Sequence, residues 1–514
     1  MKMYFWKQAW LMAALLPCLT AGQVQAATIT ADGDCTLADA ITAANMDTAT
    51  GSCISGDAGK DIIELTYSPL LPEEVAPDPT MTIIITDPIV PTDPIDPTDK
   101  KWLPQITTEI LINGNGNTID TQYYSSSGCV LRISSTGNLT LNEVTVTGGH
   151  QNSTDNGGGI HNEFGVVTLI NSTVTRNQAA EYGGGIYSHG GSLTLINSTV
   201  SGNWVYQENG MEIYSYGGGI YGNDSSLTLT NSTVSKNWAF SGYGGGIYTI
   251  SSTLNLTDST ISENEALLVG GIYSDSGSTS TLTNSIVSKN EACYGGGICA
   301  SNSTLQLINS TVSENSAFLY DVGVNYGGGM IIGDSTVTLT NSTISGNEAI
   351  NDGGGIFIVN STLTLISSLI SGNKSTAGAG NELYNVSEPS TIYANSSNLF
   401  GHRGESDTKA FFNFTPGNSD INATSDGTNG ILKPTALSTI LLPLADNGGP
   451  TQTHALPAGS PAIDLDTTCS AGLSTDQRGE PRPVTGCDTG SFEGSISLSS
   501  GTAFLPSLYL LLDH

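Results

Sequence analysis

The sequence predicts an all-β fold, a parallel β-helix in which short strands coil around one axis. Three observations support this prediction. A unit of 25 to 27 residues recurs eight times between about residues 150 and 375, with insertions in two copies. Each unit contains an alternating apolar run, which is the pattern of a strand with one buried face. The units are rich in Gly, Ser, Thr and Asn and have no 3.6-residue period, which excludes helical repeats.

The units keep the same residue types at fixed distances from a polar corner. Leucine lies two residues before the corner, Val or Ile three residues after it, and asparagine six residues after it. A unit this short cannot bury its apolar face alone, so neighbouring units must stack, about 4.8 Å apart. We therefore expect internal files of aliphatic side chains and hydrogen bonds between stacked amides, with the asparagine in left-handed backbone geometry. The asparagines are Asn177, Asn203, Asn237, Asn264, Asn290, Asn315, Asn347 and Asn373.

The N-terminal region has the pattern of an exported protein. Residues 1–26 contain a basic start, an apolar stretch and small residues before Ala27, which together predict a cleaved signal peptide. Residues 27–60 are predicted to cap the β-helix, with a helix over 36–44 that begins near a capping box. The mature protein is therefore expected to be secreted or held at the outer cell surface.

The predicted β-helix spans residues 61–400 and contains one compositional break. Residues 72–104 are rich in Pro and Asp, which excludes a central strand and predicts an exposed, extended insertion. Residues 401–494 are predicted to form a loop-rich C-terminal cap, because an open end of the stack would expose unpaired backbone groups. The tail, 495–514, has an apolar run that is too short to span a bilayer.

Several motifs resemble known bacterial families. The repeated pattern "GGGIY…LTLxNSTVSxNxA" resembles the GGAI and FxxN repeats of chlamydial polymorphic outer-membrane proteins, with Val or Ile replacing the phenylalanine. Residues 444–493, which include "LADNGGPTQTHALPAGSPAID", "DQRGEPRP" and "CDTGSFE", resemble the choice-of-anchor Q domain. The opening "DCTLADAITAAN" is similar to a segment often found with that domain. The resemblance implies a right-handed β-helix on a secreted or surface-held protein, and it implies no catalytic residues.

Seven cysteines remain in the mature chain, and six of them can be paired by position. In an exported protein these pairs are expected to be disulfides. Zinc binding is the alternative, but the sequence contains no CxxC pair and no histidine cluster. Cys129 is left over and is expected to be a buried apolar residue. The predicted pairs are Cys35 with Cys53, Cys293 with Cys299, and Cys469 with Cys487.

The charge of the chain restricts its partners. The sequence has 15 Lys and Arg residues against 47 Asp and Glu, a net charge of −32. Such a surface repels nucleic acid and anionic lipid. An acidic, salt-tolerant surface is the simplest interpretation, and calcium-dependent adhesion is the alternative. We expect a monomer whose partner is an extracellular glycan or the surface of a host or neighbouring cell.

Aromatic residues recur at two positions beside the glycine triplets. One series precedes the triplet and the other follows the "GGGI" unit or its variant. Because the isoleucine is expected to point inward, the next residue should point outward and form an external ladder. This ladder either stabilises the solenoid by self-stacking or provides a platform for sugar rings or a partner protein. The candidate ligand-binding residues are Tyr187, Tyr221, Tyr248, Tyr273 and Phe357.

An enzyme that acts on polysaccharides is the main alternative to a binding protein. A lyase needs an acidic calcium site with an Arg or Lys base, and a hydrolase needs two facing carboxylates. The cations Arg176, Lys236 and Lys289 occupy a position where other copies have Gly or Glu, which is typical of a solvated corner. We therefore predict no catalytic residue, metal site or cofactor. Charged residues of the C-terminal region are expected to form internal ion pairs, with an active site as the alternative: Asp464, Asp476, Arg478, Arg482, Asp488 and Glu493.

The sequence therefore predicts a non-enzymatic scaffold, with adhesion or glycan and partner binding as its function. A polysaccharide lyase or hydrolase is the second hypothesis. The lone His454 is expected to have a structural role.

Overall fold

The computed structural model describes residues 26–32, 34–66, 82–84, 103–121, 128–150, 156–206, 215–318, 325–386, 389–427 and 430–494. Within these residues the chain forms a right-handed parallel β-solenoid of about 10 turns, as the sequence predicts. A typical coil contributes four strands, Ile186–His189, Ser192–Ile196, Thr199–Ser201 and Trp204–Val205. We name the sheets to which these strands belong sheets I, II, III and IV, in that order.

Sheets I and II carry most of the regular hydrogen bonding. Sheet I consists of Leu131–Ile133, Ile160–Glu163, Ile186–His189, Ile220–Asn223, Ile247–Ile250, Ile272–Asp275, Ile298–Ser301, Met330–Gly333, Ile356–Val359, Leu383–Asn385 and Phe411–Phe412. Sheet II consists of Thr28–Ala31, Asp61–Leu65, Glu109–Asn113, Asn138–Asn142, Val166–Ile170, Ser192–Ile196, Ser226–Thr230, Thr253–Thr257, Thr279–Thr283, Thr304–Ile308, Thr336–Thr340, Thr362–Ile366 and Thr391–Tyr393.

Sheets III and IV complete each coil. Sheet III consists of Thr82–Ile84, Thr118–Asp120, Thr145–Thr147, Thr173–Thr175, Thr199–Ser201, Thr233–Ser235, Thr260–Ser262, Ile286–Ser288, Thr311–Ser313, Thr343–Ser345, Leu369–Ile370, Leu399–Phe400, Ile421–Asn422 and Ile431–Leu432. Sheet IV consists of Gln178–Ala179, Trp204–Val205, Trp238–Ala239, Glu265–Ala266, Glu291–Ala292, Ser316–Ala317, Glu348–Ala349 and Lys374–Ser375. The other described elements are the helices Leu37–Met46 and Asp407–Ala410, the 3-10 turn Leu437–Thr439, and a hairpin of Leu444–Ala445 with Thr453–His454.

The core consists mainly of aliphatic side chains that stack on similar side chains from coil to coil. Leu193 pairs with Leu227 in sheet II, and Val200 pairs with Val234 in sheet III. All four side chains are fully buried. A shift of one residue would move every such side chain to the outer face, so burial fixes the register of the whole stack. The predicted aliphatic files are confirmed.

Two polar ladders run along the corners inside the stack. In one, the backbone N–H and the side-chain Nδ2 of Asn203 both donate to Oδ1 of Asn237, each at 3.0 Å. In the other, the backbone N–H of Ser198 donates to Oγ of Ser232 at 3.1 Å. These bonds satisfy polar groups that are buried at the turns, where no sheet ladder can reach them. The predicted hydrogen bonding between stacked asparagines is confirmed.

The left-handed residue at the asparagine corner is not the asparagine, so that part of the prediction is wrong. The residue before it has the positive φ angle, as in Lys236 with φ 57° and Gly346 with φ 70°. The asparagine directs its amide along the stack, as in the hydrogen bond from Asn203 to Asn237, and is not among the residues with positive φ. The chain turns at the residue before the asparagine, and the side chain of that residue points to solvent. At this position Lys236 and Glu263 are exposed and lie 3.7 Å apart, which confirms a solvated corner.

A short helix covers the start of the solenoid. It spans Leu37–Met46, and the Thr36 hydroxyl accepts a hydrogen bond from the Asp39 backbone N–H at 3.1 Å. The predicted disulfide between Cys35 and Cys53 is present. Of the Pro/Asp-rich segment, the structure describes only residues 82–84 and 103–104. Residues 82–84 form the first strand of sheet III, at the edge of that sheet.

The C-terminal region differs from the predicted cap. The β-helix does not end at residue 400, because Phe411–Phe412 extends sheet I and Ile421–Asn422 and Ile431–Leu432 extend sheet III. Residues 437–494, which contain the predicted disulfide Cys469–Cys487, then fold back along the outside of sheet III. Gln477 donates to the Ser285 carbonyl at 3.4 Å, and Thr489 donates to the Ser397 carbonyl at 2.8 Å. We call residues 437–494 the covering segment.

The third predicted disulfide is wrong, because Cys293 and Cys299 both retain thiols. Cys299 lies in sheet I, in register between Tyr273 and Ile331. Cys293 follows a strand of sheet IV, on the other side of the glycine corner, so the two side chains belong to different files. Burial, followed by the charge of a neighbouring aspartate, raises the pKa of Cys299 to about 12, so this thiol stays protonated.

Candidate functional site

The predicted aromatic ladder lies on the outer face of sheet I. Tyr187, Tyr221, Tyr248 and Tyr273 are register partners in four consecutive coils. The rings of Tyr187 and Tyr221 are 5.4 Å apart and parallel to within 1°, and those of Tyr221 and Tyr248 are 5.4 Å apart and parallel to within 4°. Each ring face in the middle of this stack is therefore covered by another ring.

The second tyrosine series closes the side of the same stack. The rings of Tyr182 and Tyr216 are 5.3 Å apart, and the Tyr182 ring is 4.8 Å from that of Tyr221. Tyr187, Tyr221 and Tyr248 are consequently only 8%, 7% and 5% exposed. Burial, together with the nearby Glu163 carboxylate, raises the pKa of Tyr187 to about 12. The self-stacking alternative describes these three residues better than an open platform does.

Phe357 belongs to a different stack. Cys299 and Ile331 separate it from Tyr273 in the file of sheet I. Its ring lies parallel to that of Tyr384 at 5.4 Å, and Tyr384 in turn stacks on Phe412 at 4.4 Å. The five predicted residues therefore form two separate groups, because two coils lack an aromatic side chain at this position.

A more open aromatic surface lies on sheet IV and was missed by the sequence analysis. Trp204 and Trp238 are register partners, and each is only partly buried. Tyr206 and Phe240 follow these strands and are 38% and 41% exposed. The Phe240 ring is 4.9 Å from the Trp238 ring and 5.2 Å from the Tyr206 ring. We call these four residues the tryptophan patch.

The position of the tryptophan patch explains why it was missed. Trp204 and Trp238 each follow an invariant asparagine, where other copies have Gln, Glu, Ser or Lys. The only sequence signal is therefore a pair of tryptophans in two adjacent coils. The next register partners of Trp238 are Glu265 and then Glu291. Burial, with the neighbouring Glu291 carboxylate, raises the pKa of Glu265.

The charged residues of the covering segment form ion pairs, as the structural interpretation predicts. Arg482 Nη1 lies 2.7 Å from Glu493 Oε2, and both side chains are almost fully buried. Arg478 Nη2 lies 2.7 Å from Asp476 Oδ2, and its guanidinium covers the Phe492 ring at 3.7 Å. These contacts hold a loop-rich segment that has little regular structure of its own.

The remaining predicted residues of this segment also hold it in place. His454 Nε2 lies 2.8 Å from Ser313 Oγ and its Nδ1 lies 2.7 Å from the Leu442 carbonyl, so both ring nitrogens have partners. The Asp488 carboxylate accepts hydrogen bonds from the backbone N–H groups of Asp464 and Gly494. These contacts agree with the predicted structural role of His454.

A cleft of about 340 Å³ lies near the C-terminal end of the β-helix. It is lined by Asn385, Ser390, Thr391, Ile392, Ala394, Asn413, Phe414 and Thr415. None of these side chains titrates near neutral pH, so the described part of the lining offers no general acid or base.

One group of side chains could hold a metal ion. Ligand atoms of Glu382, His402 and Glu405 lie within 4.8 Å of one another. Burial, together with the Glu405 charge, raises the pKa of Glu382 to about 8. The two carboxylates, with Glu382 contributing most, raise the pKa of His402 to about 10. The sequence analysis missed this group because its members are separated by up to 23 residues and match no spacing motif.

The repeats and the sheet registers point to one family. The family model described as "Right handed beta helix region" matches residues 108–330 and 251–425, which together exceed half of the 514 residues. The chain belongs to the right-handed β-helix family. No curated protein and no solved structure matches the chain. Among the residues that the structure describes, no helix has the length and apolar character needed to cross a membrane.

Proposed function

We propose that this right-handed β-helix protein is a secreted or surface-held scaffold that binds a neutral glycan through the tryptophan patch. One observation carries the proposal: four aromatic side chains on two adjacent coils remain open to solvent. Trp204, Tyr206, Trp238 and Phe240 form this surface, whereas the tyrosines of sheet I mostly cover one another. Exposed apolar clusters rimmed by polar residues are typical of binding sites.

The chemistry of the surface favours a sugar over a flat apolar partner. Aromatic rings provide apolar faces against which the C–H faces of a sugar ring can stack. Glu265 and Glu291 continue the same file and can accept hydrogen bonds from sugar hydroxyl groups. The net charge of −32 disfavours polyuronates and other acidic glycans. A neutral glycan has apolar C–H faces and hydroxyl groups and carries no negative charge, so it fits this surface.

The disulfides are a further observation that supports export. Disulfides such as Cys35–Cys53 and Cys469–Cys487 persist in oxidising compartments. The predicted signal peptide lies almost wholly outside the described residues. The resemblances to polymorphic outer-membrane repeats and to the choice-of-anchor Q domain remain predictions, and they support attachment at a cell surface.

A glycan array with the purified mature protein tests the proposal. We expect binding to at least one neutral glycan, and at least a tenfold loss of affinity in the Trp238→Ala and Trp204→Ala variants. Phe318→Ala is the matched control, because Phe318 is exposed and lies at the coil position of Phe240, three coils further on. Tyr221→Phe tests whether the hydroxyl groups of the tyrosine stack take part in binding, because it removes one hydroxyl and retains the ring. Absence of neutral-glycan binding, or equal binding by the tryptophan variants, would overturn the proposal.

The enzymatic alternative is tested on the same samples by measuring new reducing ends and unsaturated products. Glu265 and Glu291 lie side by side on one outer surface. A glycoside hydrolase instead needs two carboxylates that flank the scissile bond, about 5–9.5 Å apart. We therefore expect bound glycans to be recovered intact, and cleavage that disappears in Glu265→Gln would replace the binding proposal with hydrolysis.

A further inference from the structure

The asparagine ladder of the β-helix ends at a buried carboxylate. The last asparagine, Asn373, donates from its Nδ2 to Glu382 Oε2 at 2.6 Å and from its backbone N–H to the same oxygen at 3.3 Å. Glu382 Oε1 accepts the Gly372 backbone N–H at 2.8 Å. The Glu382 side chain is fully buried. The end of the ladder therefore places an acid inside the stack.

A second acid and an imidazole lie beside Glu382. His402 Nδ1 is 3.2 Å from Glu405 Oε1 and 3.9 Å from Glu382 Oε1. Asn381 Nδ2 donates to Glu405 Oε2 at 2.8 Å and so fixes that carboxylate from behind. The Glu405 side chain is 3% exposed, whereas His402 is 21% exposed and connects the group to solvent.

One buried oxygen of this group lacks a hydrogen bond. Glu405 Oε1 lies 3.2 Å from His402 Nδ1, but the two atoms are not in hydrogen-bond geometry, and Glu405 Oε1 is buried without any hydrogen-bond partner. A buried polar atom that lacks a hydrogen bond is costly and calls for an explanation. This oxygen lies within 4.8 Å of the ligand atoms of Glu382 and His402.

The serine ladder provides a contrast at the same end of the molecule. It ends through Asn398 at Asp420, whose carboxylate is also buried. Asp420 accepts hydrogen bonds from backbone N–H groups of Ser396, Asn398 and Gly417 and from the Asn398 amide. That acid accepts several hydrogen bonds, whereas Glu405 Oε1 accepts none.

We propose that Glu382 Oε1, His402 Nδ1 and Glu405 Oε1 bind a divalent transition-metal ion of the zinc type. Imidazole nitrogen with carboxylate oxygen is a donor set that Zn²⁺ accepts, at about 2.0–2.2 Å. Ligand atoms around a tetrahedral zinc ion lie about 3.4 Å apart. The two separations from His402 Nδ1, 3.2 and 3.9 Å, are close to this value, and the two carboxylate oxygens lie within 4.8 Å of each other. Two carboxylates, a neutral imidazole and a divalent ion sum to zero charge, which removes the cost of burying two acids.

The surrounding hydrogen bonds match those of a metal site. Ligating carboxylates are usually held by outer hydrogen bonds that orient them. Gly372 and Asn373 supply these bonds to Glu382, and Asn381 supplies one to Glu405. Three protein ligands leave a fourth position for water, and the exposed edge of His402 provides access. The ion would join one coil of the β-helix to the next at the end of the asparagine ladder.

Metal analysis of the mature protein tests this proposal without any substitution. After removal of metals with a chelator and dialysis, calorimetric titration with Zn²⁺, Mn²⁺ and Ca²⁺ should show one ion per chain, with Zn²⁺ bound most tightly. The thermal midpoint should rise with Zn²⁺ because the ion binds only the folded site. X-ray absorption should show nitrogen and oxygen ligands at about 2.0–2.2 Å. A protein that binds none of the three ions below about 0.1 mM, roughly −5.5 kcal/mol of binding, would leave an imidazolium held between two carboxylates and overturn the proposal.

Variants locate the ion. Glu405→Gln and His402→Gln should each lower the Zn²⁺ affinity at least tenfold. Asn381→Ala removes the outer hydrogen bond to Glu405 and also the one that Asn381 Oδ1 accepts from the Ser375 backbone N–H. It leaves all three ligands in place and should lower the Zn²⁺ affinity by about 10–100-fold. His189→Gln is the matched control, because His189 also contacts a glutamate, Glu163, but on the outer surface. Unchanged affinity in Glu405→Gln and His402→Gln, or an equal loss in His189→Gln, would place the ion elsewhere and reject this site.

Discussion

Two strands of sheet III have the same sequence, Thr-Val-Ser, and different surroundings. In Thr199–Ser201 only the central valine is buried. In Thr311–Ser313 all three residues are buried. The pair Thr260–Ser262 and Thr343–Ser345 shows the same contrast with the sequence Thr-Ile-Ser. Identical strands thus face solvent early in the stack and lie under the covering segment later.

Hydrogen bonds account for the difference. Thr311 Oγ1 donates to Gln477 Oε1 at 2.6 Å and lies 2.9 Å from Ser491 Oγ, while Ser313 Oγ lies 2.8 Å from His454 Nε2. The hydroxyl groups that face outward in a bare coil become partners of a second layer. Whether the outer face of a sheet III strand is exposed or buried therefore depends on whether the covering segment packs against it.

The largest effect is expected from Arg482→Ala. Arg482 pairs with Glu493 and donates to the carbonyls of Asp488 and Gly490 inside the covering segment. Its loss leaves the buried Glu493 carboxylate without its ion-pair partner, which costs about 3–5 kcal/mol, although the Asp488 backbone N–H still donates to that carboxylate. Denaturant unfolding and proteolysis within residues 437–494 measure the change. Arg176→Ala at an uncovered corner should stay within about 0.5 kcal/mol, and equal effects at both sites would contradict the comparison.

The two disulfides provide an intermediate test. Cys35–Cys53 and Cys469–Cys487 have the same sequence separation, 18 residues. Removing either should cost about 2–4 kcal/mol of local stability. Only Cys487→Ser should loosen the covering segment and increase protease cleavage there. Similar cleavage in Cys53→Ser would mean that the segment is not an independent layer.

The smallest and sharpest effect is expected from a pair of isosteric substitutions. Thr311→Val removes the donor to Gln477 Oε1 and leaves a buried acceptor unsatisfied, at a cost of about 1–3 kcal/mol. Thr199→Val changes the same residue of the same tripeptide at a partly exposed position, so it should alter stability by less than about 0.5 kcal/mol. Thermal unfolding of both variants measures the difference, and a neutral Thr311→Val would show that the covering contacts contribute little.

The parts of the fold that were predicted correctly depend on local patterns. Alternation in "LTL" predicts which side chains are buried, and the repeat length predicts stacking, so the files of Leu193 and Val200 follow directly. Cys35 and Cys53 lie close along the chain and their pairing was predicted. Cys293 and Cys299 are closer still, yet a glycine corner between two sheets separates their side chains. Proximity along the chain does not indicate the direction of a side chain.

The candidate sites were harder to predict because they depend on coils that meet in space. The tryptophan patch requires Trp204 and Trp238 to be register partners, although they are separated by an insertion. The group of Glu382, His402 and Glu405 forms only where the asparagine ladder ends. No single coil contains either site.

The sequence by itself determined the solenoid, its register and its aliphatic core, because a period of two along each strand and of about 26 residues between strands specifies which atoms leave water. The tertiary structure alone decided where the covering segment lies, which tyrosines become buried and which acids meet. Those outcomes depend on contacts such as that of Thr311 with Gln477, 166 residues apart. Hydrogen bonds between such distant residues leave no periodic signal in the chain.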